Sequence, residues 1–187
     1  MPKIILMLSL SLDGFFEGPD QDLSWSLVDE ELHQHFNDEC NALAGYLEGR
    51  VTHELMADFW PTADQDPDVS PVMAEYAGIW REKPKFVFSR TLTSVPWSTE
   101  VISDVVPERI KELKARMGGD LAVGGPDLAA SFMRHGLIDE YRLYIHPVVI
   151  GKGKRLFQLP DQVMNLEFAG TRTFGNGVVQ LRYMPKE

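Results

Sequence analysis

An apolar run, Leu121-Ala122-Val123, breaks into Gly124-Gly125-Pro126 and restarts with helical spacing through Asp127 and Leu128 to Met133. A strand that ends in glycines and passes straight into a helix is a building block of α/β proteins, so this segment narrows the fold more than any other. Without Cβ atoms, Gly124 and Gly125 let a ligand approach the backbone closely. Pro126 fits the first helical turn, whose unpaired N–H groups and dipole favour an anion. The motif is not the G-x-G-x-x-G fingerprint, and a plain strand-to-helix connection looks the same, so its meaning turns on the other strand ends.

Strand-like runs occur at 3–10, 44–47, 85–88, 100–102, 120–123 and 141–149, several of them apolar throughout, as strands covered on both faces are. Helical patterns lie between them at 28–43, 52–59, 72–81, 108–117 and 128–135, with Pro107 as a start signal for the fourth. The alternation predicts an α/β fold with a mostly parallel central sheet. The segments 166–174 and 178–184 flank Gly175-Asn176-Gly177 and predict an antiparallel C-terminal hairpin. The polar stretch 63–71 reads as a flexible surface loop.

A chain of 187 residues fits one domain, 1–187. The net charge of −10 argues against a general nucleic-acid binder or an anionic-membrane binder, so any anion site must be a local basic pocket. Cys40 is the one cysteine, which excludes an internal disulfide and a cysteine-based zinc site; the scattered histidines add no metal-binding pattern. The apolar start at 4–8 is too short to cross a bilayer and runs into serine and aspartate rather than a cleavage site. A cytoplasmic protein without a membrane partner is expected.

Three further strand ends carry chemistry. Ser11-Leu12-Asp13-Gly14 follows the first strand, where Asp13 serves either a ligand or its own Asx-turn. Gly49-Arg50-Val51-Thr52 opens a helix, so Arg50 and Thr52 either flank a phosphate or form a solvent-facing arginine and an N-cap. Ser89-Arg90-Thr91 repeats that design or is a surface turn. Ligands of open α/β sheets bind just beyond the C-terminal strand ends, where these features can converge on one extended ligand with several phosphates. Trp25 and Phe36 are either core aromatics or a stacking surface for a flat substrate.

The ordered set Ser11-x-Asp13-Gly14, Gly49-Arg50-x-Thr52, Ser89-Arg90, Gly124-Gly125-Pro126 and Gly136-Leu137-Ile138-Asp139-Glu140, followed by Pro147-Val148-Val149-Ile150-Gly151-x-Gly153, resembles the dihydrofolate reductase-like family. Within it the chain is most similar to the bacterial branch sharing the C-terminal reductase domain of riboflavin biosynthesis, 5-amino-6-(5-phosphoribosylamino)uracil reductase. The resemblance covers nearly the whole chain and implies a three-layer fold with NADPH across the strand ends. It assigns Gly124 and Gly125 to the pyrophosphate, Arg50 and Thr52 to the phosphate-bearing half, and Ser89, Arg90 and Thr91 to the 2′-phosphate, with Pro126, Asp127 and Leu128 as further cofactor contacts. Asp13 or Asp29 would be the catalytic acid, and Trp25 and Phe36 substrate contacts.

The activity implied is NADPH-dependent hydride transfer to a small heterocycle of pterin, pyrimidine or related type. The alternatives are a non-catalytic NADP-binding or ligand-sensing protein, or a dedicated dihydrofolate or riboflavin-pathway reductase. The proline of the dihydrofolate reductase Leu-Pro-Trp loop is missing from Leu23-Ser24-Trp25, which argues against folate. A homodimer is expected through the apolar segments 141–149 and 151–157.

Overall fold

In the computed structural model, residues 1–158 and 163–186 are described. The chain opens with β1 (Ile4–Ser11) and the short β2 (Phe15–Glu17), then α1 (Glu30–Ala42), β3 (Gly45–Gly49), α2 (Arg50–Phe59) and α3 (Pro71–Glu82). It continues through β4 (Lys85–Phe88), β5 (Glu100–Ile102), α4 (Pro107–Met117), β6 (Leu121–Gly124), α5 (Pro126–Arg134) and β7 (Glu140–His146). The two-residue β8 (Lys154–Arg155) precedes β9 (Leu166–Thr173) and β10 (Val179–Pro185).

Eight strands form one sheet in the order β5-β4-β3-β6-β1-β7-β10-β9. The first six run parallel, and β10 and β9 join antiparallel as the predicted hairpin. Gly177, with φ of +86°, supplies the turn between β9 and β10 that a side chain would strain. On one face, Cys40 and Leu43 from the α1 region and Ile79 and Trp80 of α3 pack on Ile5, Tyr46 and Ala122. On the other, α4 contributes Ile110 and Leu113, and α5 contributes Leu128, Ala129 and Phe132. The outcome is the three-layer α/β arrangement that the alternation predicted, with β1, β3, β4 and β6 ending side by side at one edge.

Several expectations need correction. The strand of segment 141–149 is shorter than expected and has its neighbours in the same chain: β7 lies between β1 and β10, and it stops at His146 because Pro147 has no N–H to donate. Of the apolar segments expected to form a dimer, β7 is paired on both sides and Leu156 is fully buried, while Val149 and Phe157 stay exposed at 67% and 42%. At that side of the sheet the edge left open is β9, which carries exposed Phe168. The stretch 63–71 is not a loop throughout, because Trp60–Gln65 forms a 3-10 helix that buries Ala63 and holds Asp64 against Arg81 at 2.6 and 2.8 Å. The helix expected at 28–43 starts at Glu30, with the Asp29 carboxylate accepting the Leu32 N–H at 3.0 Å. The small antiparallel pair β2 and β8 was not anticipated.

A buried ionic knot ties the parallel sheet to its antiparallel extension. The Glu140 carboxylate accepts from Lys3 at 2.7 Å, Arg142 at 2.8 Å and Arg182 at 2.8 Å, linking the start of the chain, β7 and β10. Burial alone would raise its pKa, but these three cations outweigh that and hold it at about 2. The folded value lies below the unfolded one, so the contribution is fully present above pH 4.5 and is lost as pH falls toward 2. Removing one partner of a buried pair typically costs about 3–5 kcal/mol. Glu140→Gln should therefore lower urea-measured stability by about 3 kcal/mol at pH 7 and flatten its decline between pH 4.5 and 2; an unchanged acid limb would show that the knot does not titrate with folding.

Candidate functional site

Two helices start side by side over adjacent parallel strands. Gly49 caps α2 at the end of β3, and Gly125 caps α5 at the end of β6; neither helix has a side-chain hydrogen bond at its N-cap. The first-turn N–H groups of both are thus left for another acceptor, with both positive dipole ends at the same edge. Gly125 takes φ of +89°, a backbone that L side chains rarely adopt, and a Cβ there would overlap Oγ1 of Thr52. Thr52 is not the N-cap: it sits in the first turn of α2, against the glycine turn.

A cavity of about 720 Å³ opens over this edge. Arg50, Thr52, Ser89, Arg90, Gly125, Pro126, Asp127 and Leu128 all line it, so the three strand-end motifs converge as expected. Gly124 ends β6 just beneath, where a Cβ would meet Thr52 Cγ2 at 3.7 Å. Thr91 supports the rim from behind: the Ser89 hydroxyl accepts the N–H groups of Thr91 at 3.3 Å and Leu92 at 3.1 Å, setting the turn after β4.

That turn is anchored from below. His53, fully buried on α2, has Nδ1 2.7 Å from the Glu48 carboxylate and Nε2 2.8 Å from the Pro96 carbonyl. A carboxylate at one ring nitrogen and a carbonyl at the other favour the protonated ring. Burial pulls its pKa down, but the bonds to Glu48 and Pro96 prevail and raise it.

The cavity's cations are partnered at its rim. Arg50 reaches Glu54 at 2.7 Å, and Arg90 reaches Asp104 at 2.8 Å, which lowers the Asp104 pKa. Lys154 sits 2.9 Å from Asp127 and 3.7 Å from Glu17, and its pKa rises, chiefly through Asp127. The β2–β8 pairing sets Lys154 opposite Glu17 and brings both to the cleft, although they are far apart in sequence. Glu17, Gln21, Asp104 and Lys154 line the cavity without a local motif to announce them. Exposed surface pairs of this kind contribute little to stability, so a ligand can recruit them at low cost.

The carboxylates expected to do chemistry have structural tasks. Asp29 caps α1 and does not line the cavity. Asp13 accepts the backbone N–H groups of Gly151 at 2.8 Å and Ile150 at 3.3 Å, clipping the loop after β1 to the loop after β7. Its pKa is lowered, first by a hydrogen bond from Ser11 and, against opposing desolvation, by those backbone N–H groups. Phe36 packs edge-on against Tyr144 at 4.7 Å, inside the sheet–α1 interface and away from the cleft. Trp25 stands edge-on to His146 at 5.4 Å, while Nδ1 of buried His146 accepts the Leu27 N–H at 3.0 Å. His146 thus pins the segment leading into α1; burial lowers its pKa.

A mostly parallel sheet flanked by helices and extended by an antiparallel C-terminal hairpin defines the α/β class of the chain, and the fold is dihydrofolate reductase-like. Residues 2–180 match the RibD C-terminal domain family, and the chain belongs to it. Bacillus subtilis (strain 168) YyaP is 38% identical over 182 residues, 97% of this chain and 94% of that protein. The Thermotoga maritima diaminohydroxyphosphoribosylaminopyrimidine deaminase/5-amino-6-(5-phosphoribosylamino)uracil reductase superposes with a TM-score of 0.69 at 18% identity, covering 99% of this chain and 57% of that one. Enterococcus faecalis dihydrofolate reductase complexed with NADP(H) superposes with a TM-score of 0.64 at 13% identity, over 99% of this chain and 97% of the other. Among the described residues no helix is long and apolar enough to cross a membrane, and no group of three or more His, Cys, Asp or Glu could hold a metal ion.

The close approach of Gly125 and Thr52 has a measurable consequence. Gly125→Ala should lose about 1–3 kcal/mol of unfolding free energy through backbone strain and the overlap with Thr52. Adding Thr52→Ala should recover the steric part but not the strain, seen as a non-additive double-mutant cycle in urea; simple additivity would mean that the two residues do not share this contact.

Proposed function

We propose that this chain is an NADPH-dependent reductase that transfers a hydride to a small pterin-, pyrimidine- or related heterocyclic substrate. The observation that carries the reading is the pair of helix starts without side-chain caps at Gly49 and Gly125, opening on one cavity of about 720 Å³. Membership of the RibD C-terminal domain family and a fold shared with a dihydrofolate reductase complexed with NADP(H) support it.

The residues present fit a dinucleotide. First-turn N–H groups of α5 and the side-chain-free Gly125 would take the pyrophosphate, with the Thr52 hydroxyl and Arg50 beside it. Ser89 and Arg90 would hold the 2′-phosphate, for which Arg90 must exchange Asp104. NADPH, when bound, supplies the hydride; the protein positions the acceptor and excludes water. Glu17, brought to the cavity by the β2–β8 pairing, would orient the substrate and hold a proton beside the reacting atom. The structural engagement of Asp13 and Asp29 favours a second reading, an NADP-binding protein without turnover.

NADPH should bind at least about tenfold more tightly than NADH, since a charge-assisted contact contributes about 1.5–3 kcal/mol. Calorimetry should show Arg90→Ala erasing that preference and Asp104→Asn increasing it. Equal affinity for the two cofactors would overturn the assignment of Arg90. Glu17→Gln should reduce turnover on a panel of pterins and pyrimidines far more than NADPH affinity, whereas a wild type that binds NADPH but reduces none of them would support the second reading.

A further inference from the structure

Lys154 enters the cavity from a backbone with little freedom. Its neighbours are tied to the loop after β1. A Cβ at Gly153, whose φ is +139°, would overlap the Glu17 carbonyl. Arg155 Nη1 donates to the Asp13 carbonyl at 3.1 Å, and the Leu156 N–H donates to the Gly14 carbonyl at 3.4 Å. With the backbone held on both sides, the long side chain is the part that can move. Its ammonium stands 2.9 Å from Asp127 Oδ2 and 3.7 Å from Glu17 Oε1. Asp127 lies in the first turn of α5, which has no side-chain hydrogen bond at its N-cap. A carboxylate there is favoured by the free N–H groups of its own helix; Asp127 bonds Lys154 instead. Among the described lining cations, Arg50 pairs with Glu54 in its own helix and Arg90 with Asp104, and Lys154 is the one paired to the first turn of α5.

We propose that Lys154 binds the pyrophosphate of the cofactor, and that Asp127 holds its ammonium in place until the cofactor arrives. The inference rests on the reductase reading above and adds to it a cation from outside the strand-end motifs. A dianionic pyrophosphate at the start of α5 attracts the ammonium more strongly than one carboxylate does, and the dipole of α5 favours it further. Asp127, with its side chain 75% exposed, returns to water at low cost, because an exposed ion pair contributes little. Lys154 and Glu17 stand opposite each other in the β2–β8 pair, so the same contact ties the bound cofactor to the strand that carries Glu17.

The test measures binding of NADPH, NADH and adenosine 2′-monophosphate to the full chain by calorimetry. The two dinucleotides carry a pyrophosphate and the mononucleotide does not. Lys154→Met should weaken NADPH and NADH alike by about tenfold, as expected for one charge-assisted contact, and leave adenosine 2′-monophosphate within about twofold. Lys154→Arg should restore most of the loss, and Asp127→Asn should tighten both dinucleotides by about threefold. The Lys154 side chain is 39% exposed, so these variants should fold. Unchanged dinucleotide affinity in Lys154→Met would overturn the assignment and leave the reductase reading standing. A loss confined to NADPH would overturn it too, by placing Lys154 at the 2′-phosphate, and so would an equal loss for adenosine 2′-monophosphate, which marks a general change in the cleft. A wild type that binds neither dinucleotide would overturn the reductase reading, and this inference with it.

Discussion

Where α2 and α5 begin beside each other at the ends of adjacent strands, the first turn of α2 leaves no room for a side chain at residue 125, and Gly125 supplies none. Its φ of +89° turns the backbone from β6 into α5 while Thr52, in the first turn of α2, fills the space that a Cβ would need. The arrangement of β3 and β6 as parallel neighbours sets the helix spacing. Both helices therefore present free N–H groups and positive dipole ends to one volume. The loop after β4 joins them because His53, bridging Glu48 and Pro96, ties that loop to the buried side of α2.

Charge is distributed to the same purpose. A chain with a net charge of −10 repels anions in general, yet Arg50, Arg90, Arg134 and Lys154 all border this one cavity. Where cations serve the fold instead, they are gathered on one carboxylate: Lys3, Arg142 and Arg182 surround buried Glu140 at the junction of the parallel strands with the C-terminal hairpin. The cleft thus gathers these cations beside the apolar side chains of Val51, Leu55 and Met56 and the carboxylate of Glu17.

Much of this was legible in the sequence because strands covered on both faces are apolar throughout, and Ile4, Ile5 and Leu6, or Phe86, Val87 and Phe88, leave no other reading. The glycine turns, Arg50 with Thr52, and Ser89 with Arg90 were legible for a similar reason: each is a local motif at a strand end. Features made by distant pairing were not. Strands of three and two residues, β2 and β8, have no period to detect, so Glu17 and Lys154 gave no sign of entering the cleft. The strand at 140–146 is covered by the hairpin of its own chain, and an apolar strand reads alike whether its own chain or a partner covers it. Asp29 shows the limit for single residues: a carboxylate before a helix is equally a cap and a candidate acid, and only the 3.0 Å bond to the Leu32 N–H separates the two.

The account stands or falls on whether the paired helix starts hold a dinucleotide. The most direct measurement is a crystal structure of the protein soaked with NADPH. The account predicts the pyrophosphate against Gly125 and the first turn of α5, the 2′-phosphate beside Ser89 and Arg90, and the nicotinamide directed toward Glu17 and Met56. Electron density for NADPH elsewhere on the molecule, or a cleft that stays empty at saturating cofactor, would contradict it.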